Sequence, residues 1–256
     1  NDENQIGIAV IPFITFPTGR VSGYFGNQNL TGGFRFVFDR PLYKRHLFGF
    51  NIGARFRDEL EQLLRWRRDV RRFRSDPVKP ELLSHLLELA SLAPSVGLSE
   101  PWRFVPVEEA QDRNAVIDSY ERCNADALAG YNGEDRALYA RLKLEGLREA
   151  PVQFAVFCDE ETTKGKGLGQ LTMPETLRYS VVNAVHTFWL AARASGIGVG
   201  WVSILEPDVV REVTGVPQSW SLVAYLCVGY PQEEHDDPEL ERAGWESRET
   251  PVADPR

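Results

Sequence analysis

Arg65 to Arg74 reads RWRRDVRRFR, six arginines in ten residues with Asp69 in their midst, within a 256-residue chain of net charge -8. Planar guanidinium forks match phosphate or carboxylate oxygens two at a time, so arginine concentrated locally in an acidic protein points to an anionic ligand. A solvated basic surface is the plain alternative. If residues 63–73 are partly helical, Arg67 and Arg71 share one face and Arg68 and Arg72 the adjacent one, since residues four apart are helix neighbours. Cationic neighbours favour the charged form of a carboxylate such as Asp69. That suits proton transfer or orientation of a ligand, and a simple ion-pair spacer fits the charges equally well.

Two glycine series invite a nucleotide reading. Gly165, Gly167 and Gly169 sit in a loop too long for a tight phosphate turn, while Gly196, Gly198 and Gly200 lie between a helix and the strand after it. A dinucleotide fingerprint needs the order strand, glycines, helix, so a Rossmann site is not expected. The second series suits close approach of backbone to a flat ligand, because glycine lacks the Cβ that would hold it away.

No metal site is expected. His46, His85, His186 and His235 never fall at HxxH, HxxxH or HExxH spacing, and Cys123, Cys158 and Cys227 form no CxxC pair. These spacings offer neither a zinc set nor a disulfide framework, and a reducing, cytoplasmic setting fits best. The apolar runs from Phe154 and Leu222 fall far short of the roughly 20 residues that span a bilayer, so no membrane helix is expected. Residues 1–54 carry five basic and three acidic side chains, net +2, which leaves -10 for the remainder. Duplex nucleic acid needs many spread phosphate contacts and is not an expected partner.

These residues must be held by a scaffold, and its pattern changes near residue 54. Residues 1–54 are rich in Gly and Phe with recurring turn signals, and read as an N-terminal extension of unassigned role, with disorder one state open to it. The chain opens on Asn1, which leaves a fragment, a processed product and translated upstream sequence all open. GIAVIPFITF lacks the flanks of a signal peptide, and the sequon at Asn29 is too short a match to carry weight. Residues 55–256 read as one domain. Leu60, Leu63, Leu64 and Trp66 predict a helix running into the arginines, and Pro80 opens a second that Pro94 ends. A strand is predicted at Trp102–Val107, and polar helices at 111–129 and 134–149. Pro151–Cys158 reads as a buried strand. Glu175–Ala194 reads as a central helix, apolar nearly all round and capped by Gly196. Ile197–Ile204 and Ser221–Val228 read as further strands, with a short helix at Pro207–Val213 between them. The expected class is α+β, a central mixed sheet of four or five strands flanked by helices.

Four motifs occur in order: Arg67-Arg68-Asp69-Val70-Arg71; Ala93-Pro94-Ser95-Val96-Gly97 with Pro101-Trp102; Leu142-Lys143-Leu144-Glu145-Gly146; and Gly198-Val199-Gly200-Trp201-Val202-Ser203-Ile204. Together they resemble the nitroreductase superfamily, and within it the BluB family of flavin-fragmenting enzymes, from Phe56 to Arg248. The resemblance implies a nitroreductase-like homodimer with flavin at the subunit interface. It implies that Arg67, Arg68 and Arg71, helped by Arg248, bind the flavin phosphate. Pro94 and Ser95 would line the ring site, from the partner subunit, and Gly198 to Gly200 would bring main chain against the ring. Val70, Ser91, Gly97, Lys143 and Val199 complete the implied contact set, to which Asp69 also belongs.

The reaction so implied consumes reduced FMN, as substrate, with dioxygen. It yields 5,6-dimethylbenzimidazole, the cobalamin lower ligand, and erythrose 4-phosphate, and a separate flavin reductase would supply the reduced FMN. Its late steps need placed proton transfer, and the family implicates the motif aspartate and the serine after Gly-Trp-Val, here Asp69 and Ser203. Ordinary nitroreductases usually carry serine at the position of Asp69, so the carboxylate favours fragmentation. An FMN-dependent NAD(P)H nitroreductase and a non-catalytic flavin-binding protein are the alternatives. Glu100 stands before Pro101-Trp102 where relatives often have an amide, which bears on ring contacts.

Overall fold

The computed structural model describes the backbone of residues 7–15, 31–39 and 46–48, and residues 60–249 throughout. Two compact units divide at Leu64 and Arg65. Asn29 and its sequon lie outside the described residues, as does most of the extension. Within the first unit, β1 (Gly7–Thr15), β2 (Thr31–Asp39) and β3 (His46–Phe48) pair antiparallel in chain order.

The second unit is built on four antiparallel strands, β4 (Trp102–Pro106), β5 (Val152–Asp159), β6 (Gly198–Val202) and β7 (Trp220–Gly229), ordered β4-β5-β7-β6. Side chains alternate across a strand, and both faces of β5 and β7 are covered. Phe154, Val156, Cys158, Leu226 and Val228 pack on one face with Val181, Val185 and Phe188. Ala155, Phe157, Tyr225 and Cys227 pack on the other with Val116, Ile117 and Val210. This explains why the Phe154–Cys158 run is apolar without interruption. Helices α2 (Pro80–Ala90) and α5 (Thr176–Ala194) cover the first face; α3 (Ala110–Gly130) and α6 (Pro207–Thr214) serve the second. Full burial of a Phe side chain contributes about 1.5–3 kcal/mol, so these layers hold the sheet rigidly beneath the site.

Gln153, buried between strand and loop, is satisfied on both sides. Its amide donates to the Leu147 carbonyl at 2.6 Å and accepts from the Tyr225 hydroxyl at 2.7 Å. Burial pushes the Cys158 thiol up to about 12, which marks it as an inert core group.

Three expectations are corrected. Helix α1 occupies residues 60–66 and stops there, so Arg65 is helical but Arg67 to Arg74 are not. The cause is the free edge of β6, whose backbone groups need partners. The Val70 amide donates to the Val199 carbonyl at 3.0 Å, and Asp69–Val199 is the parallel bridge that makes the sheet mixed. Further on, the Arg74 amide donates to the Tyr230 carbonyl and Phe73 bridges Pro231. Second, α4 (Gly133–Tyr139) ends well before residue 149. The Lys143 carbonyl accepts from Arg71, and a Cβ at Gly146 would lie 2.4 Å from the Phe73 ring. Third, α5 is not buried all round: Tyr179 and Val182 are exposed. One short helix, α7 (Glu239–Arg242), went without a sequence signal.

Candidate active site

The segment from Arg67 to Arg74 lies extended, so its side chains part instead of sharing helical faces. Asp69 and Arg71, two residues apart, meet: Arg71 Nε donates to Asp69 Oδ2 at 2.8 Å. Asp69 Oδ1 accepts the Trp201 backbone amide at 2.9 Å. Arg71 also donates from a terminal nitrogen to the Lys143 carbonyl at 2.7 Å, and its side chain is only 10% exposed. The Lys143 ammonium is held by Glu149 at 2.9 Å, with Glu145 at 3.7 Å. Lys143 therefore enters the site through its backbone, and its charge is answered locally.

Arg68 and Arg72 reach an acidic strap after β7. Arg68 Nε donates to the Asp236 carbonyl at 2.6 Å, and Arg72 pairs with Glu233 at 3.0 Å and Glu239 at 2.9 Å. Arg74 pairs with Asp76. The cluster is thus several small devices and not one grip. Arg68 also donates from Nη1 to the Arg67 carbonyl at 2.6 Å, and Arg248 lies close enough to repel both Arg67 and Arg68. Among the described residues the Arg67 guanidinium has no ion pair; it lies 5.0 Å over the Trp189 ring, a cation–π contact. Burial first, and Arg248 second, press both Arg67 and Arg68 below the ordinary arginine range. Cations crowded in this way fit a phosphate group, whose charge would relieve the repulsion.

Trp189, on the central helix α5, organises this corner. Its indole Nε1 donates to the Arg68 carbonyl at 3.3 Å while its ring stacks under Arg67 and packs on Trp201. His186, one turn earlier, faces the same charges; burial and then Arg67 lower its imidazolium. Neither residue carried a sequence signal, since both lie far along the chain from the arginines, whereas the acidic run from Glu233 to Glu239 was the signal for the strap.

The glycines of β6 admit a close neighbour from within the chain. A Cβ at Gly200 would fall 2.2 Å from the Val70 carbonyl oxygen, and one at Gly198 would fall 2.9 Å from a Val70 methyl. Val70 therefore packs directly against both glycines, and the Val199 side chain is fully buried. These three residues dock the Asp69 segment onto the sheet. Gly200→Ala should therefore push that segment off β6 and lower stability by about 1–3 kcal/mol, read from denaturant unfolding. A variant as stable as wild type would show that Val70 is not held there.

Ser203 follows directly on β6 and is exposed, so it stands at the same strand end as the Trp201 amide that holds Asp69. Ser91, Pro94, Ser95 and Gly97 gather elsewhere, after the C-terminus of α2. Ser91 caps that helix, the Pro94 carbonyl accepts from Asn183 at 3.4 Å, and Ser95 Oγ accepts the Glu100 amide at 3.2 Å. Gly97 has φ +58, and a Cβ there would meet the Leu168 carbonyl at 2.9 Å. Glu100, singled out in the sequence, is ion-paired to Lys164. Asn183 beside Pro94 and Trp189 beside Arg67 are six residues apart on α5, about 9 Å of helix rise. Both sets therefore contact the same helix, one through Asn183 and the other through Trp189.

The model of the nitroreductase family matches residues 64–230. The chain is 62% identical over 193 residues to the 5,6-dimethylbenzimidazole synthase of Rhodospirillum rubrum, covering 75% of this chain and 92% of that one. It is 43% identical over 196 residues to a protein of the same name from Rhodobacter capsulatus, covering 77% and 95%. Among solved structures, an oxidized iodotyrosine deiodinase bound to FMN and 3-iodo-L-tyrosine superposes with a TM-score of 0.62 at 25% identity, over 77% of this chain and 98% of that one.

Proposed function

The chain belongs to the nitroreductase family, and we propose that it is a 5,6-dimethylbenzimidazole synthase that breaks down reduced FMN with dioxygen. The similarity to the Rhodospirillum rubrum enzyme supports the activity. The observation that carries it to this chain's own residues is Asp69, a carboxylate held by the Trp201 amide and Arg71 beside Arg67, Arg68 and Arg248. Bound here, the flavin supplies the redox chemistry and is itself the material consumed. Arg67, Arg68 and Arg248 hold its phosphate. Asp69 moves a proton at a carboxylate oxygen during cleavage of the sugar chain, and Ser203 assists from the end of β6.

A second copy of the chain completes the site by bringing its Pro94 and Ser95 towards the first copy's arginines. Leu92, Leu98, Leu168 and Leu171, exposed by 75%, 68%, 71% and 94%, favour that arrangement, since such apolar surface usually marks an interface. Leu98→Glu with Leu171→Glu should convert a dimer to a monomer in analytical ultracentrifugation and abolish FMN binding. A monomeric wild type, or a monomeric variant that binds FMN normally, would refute the shared site.

A separate reductase supplies reduced FMN, and the reducing cytoplasm suits both that substrate and the free thiols Cys123, Cys158 and Cys227. Among the described residues no helix is long and apolar enough to cross a membrane. Comparing products decides the reading. Reduced FMN and dioxygen should give 5,6-dimethylbenzimidazole and erythrose 4-phosphate. Sustained NAD(P)H-driven reduction of a nitro compound without benzimidazole would indicate a nitroreductase, and neither activity a binding protein.

A further inference from the structure

We infer that Arg71 is a positioning residue that fixes the Asp69 carboxylate, and not a ligand of the flavin phosphate. The inference rests on the reading of Asp69 as catalytic. Both Asp69 oxygens are engaged, Oδ2 by Arg71 Nε and Oδ1 by the Trp201 amide. Two donors from different parts of the fold, one on the edge of β6 and one on a buried side chain, stop the carboxylate from rotating. Arg71 is fixed in turn, because its other engaged nitrogen bonds the Lys143 carbonyl, and the Lys143 side chain is tied to Glu149 and Glu145. An arginine whose side chain is 90% covered and ties two separate segments together is poorly placed to follow a phosphate, unlike Arg67, which has no ion pair among the described residues. The planar fork is what spans a carboxylate and a carbonyl at once, and a lysine ammonium cannot reproduce it.

Arg71→Lys and Arg71→Gln test this through three readouts beside wild type: FMN affinity from flavin fluorescence, hydrogen exchange at the Trp201 amide, and benzimidazole formed from reduced FMN and dioxygen. Both variants should bind FMN with nearly wild-type affinity and exchange the Trp201 amide faster. Both should form product about 100-fold more slowly, the size of effect expected when a reacting group is misplaced. FMN affinity lost to the extent seen in Arg67→Gln, with Trp201 exchange unchanged, would overturn the inference in favour of a phosphate contact. A wild-type rate in Arg71→Lys would overturn it by showing that charge alone suffices. Should Arg71→Gln fail to fold, Arg71→Lys carries the test, because it keeps the charge. A wild type that forms no benzimidazole would refute the function, whereas Trp201 exchange and FMN affinity would still decide the role of Arg71.

Discussion

Asp69→Asn should leave FMN bound with close to wild-type affinity while benzimidazole formation falls by about 1,000-fold, within the range for loss of a placed proton-transfer group. The geometry adds a second consequence. The amide keeps only one acceptor oxygen, and whichever way it turns, its NH2 faces a donor, either the Trp201 amide or Arg71 Nε. Loss of one charge-assisted bond should cost about 1.5–3 kcal/mol, visible in denaturant unfolding. The variant therefore separates two roles that the sequence left equal. A proton-transfer residue loses product and keeps flavin. An ion-pair spacer loses stability and leaves the product rate per bound flavin unchanged, and that outcome would remove Asp69 from the chemistry.

Arg67→Gln should show the opposite pattern, with FMN affinity lowered by about 10- to 100-fold for the loss of charge-assisted bonds to phosphate. Riboflavin, which has no phosphate, should bind both forms alike. Folding stability should hold or rise slightly, because Arg67 has no ion pair among the described residues and is repelled by Arg248. Titration of both flavins into both proteins measures this directly. Equal losses for FMN and riboflavin would place Arg67 against the ring or the tryptophan and not the phosphate.

The elements set by apolar pattern were legible in the sequence. The Phe154–Cys158 strand, the Pro80 helix start and the long helix before Gly196 all follow from side-chain spacing and backbone preference, which act locally. The path of Arg67–Arg74 was not legible, because it is decided by an unpaired strand edge more than a hundred residues later in the chain. Helical spacing grouped Arg67 with Arg71 and Arg68 with Arg72, and tertiary pairing gave Arg71 to Asp69 and Arg72 to Glu233 and Glu239. What packs against Gly198 and Gly200 was hidden for the same reason. A missing Cβ signals close approach, but only the fold says that the approaching group is Val70. Asp69 itself was conspicuous from the start as one acid among arginines, whereas the Trp201 amide that holds it carries no sequence signature.

A single turnover separates a site that dismantles flavin from one that recycles it. Reduced FMN prepared without oxygen, mixed with excess protein and then exposed to dioxygen, allows one turnover whose flavin and products can be quantified by chromatography and mass spectrometry. FMN should disappear as 5,6-dimethylbenzimidazole and erythrose 4-phosphate appear in equal amounts. Full recovery of oxidised FMN, with hydrogen peroxide and no benzimidazole, would contradict it.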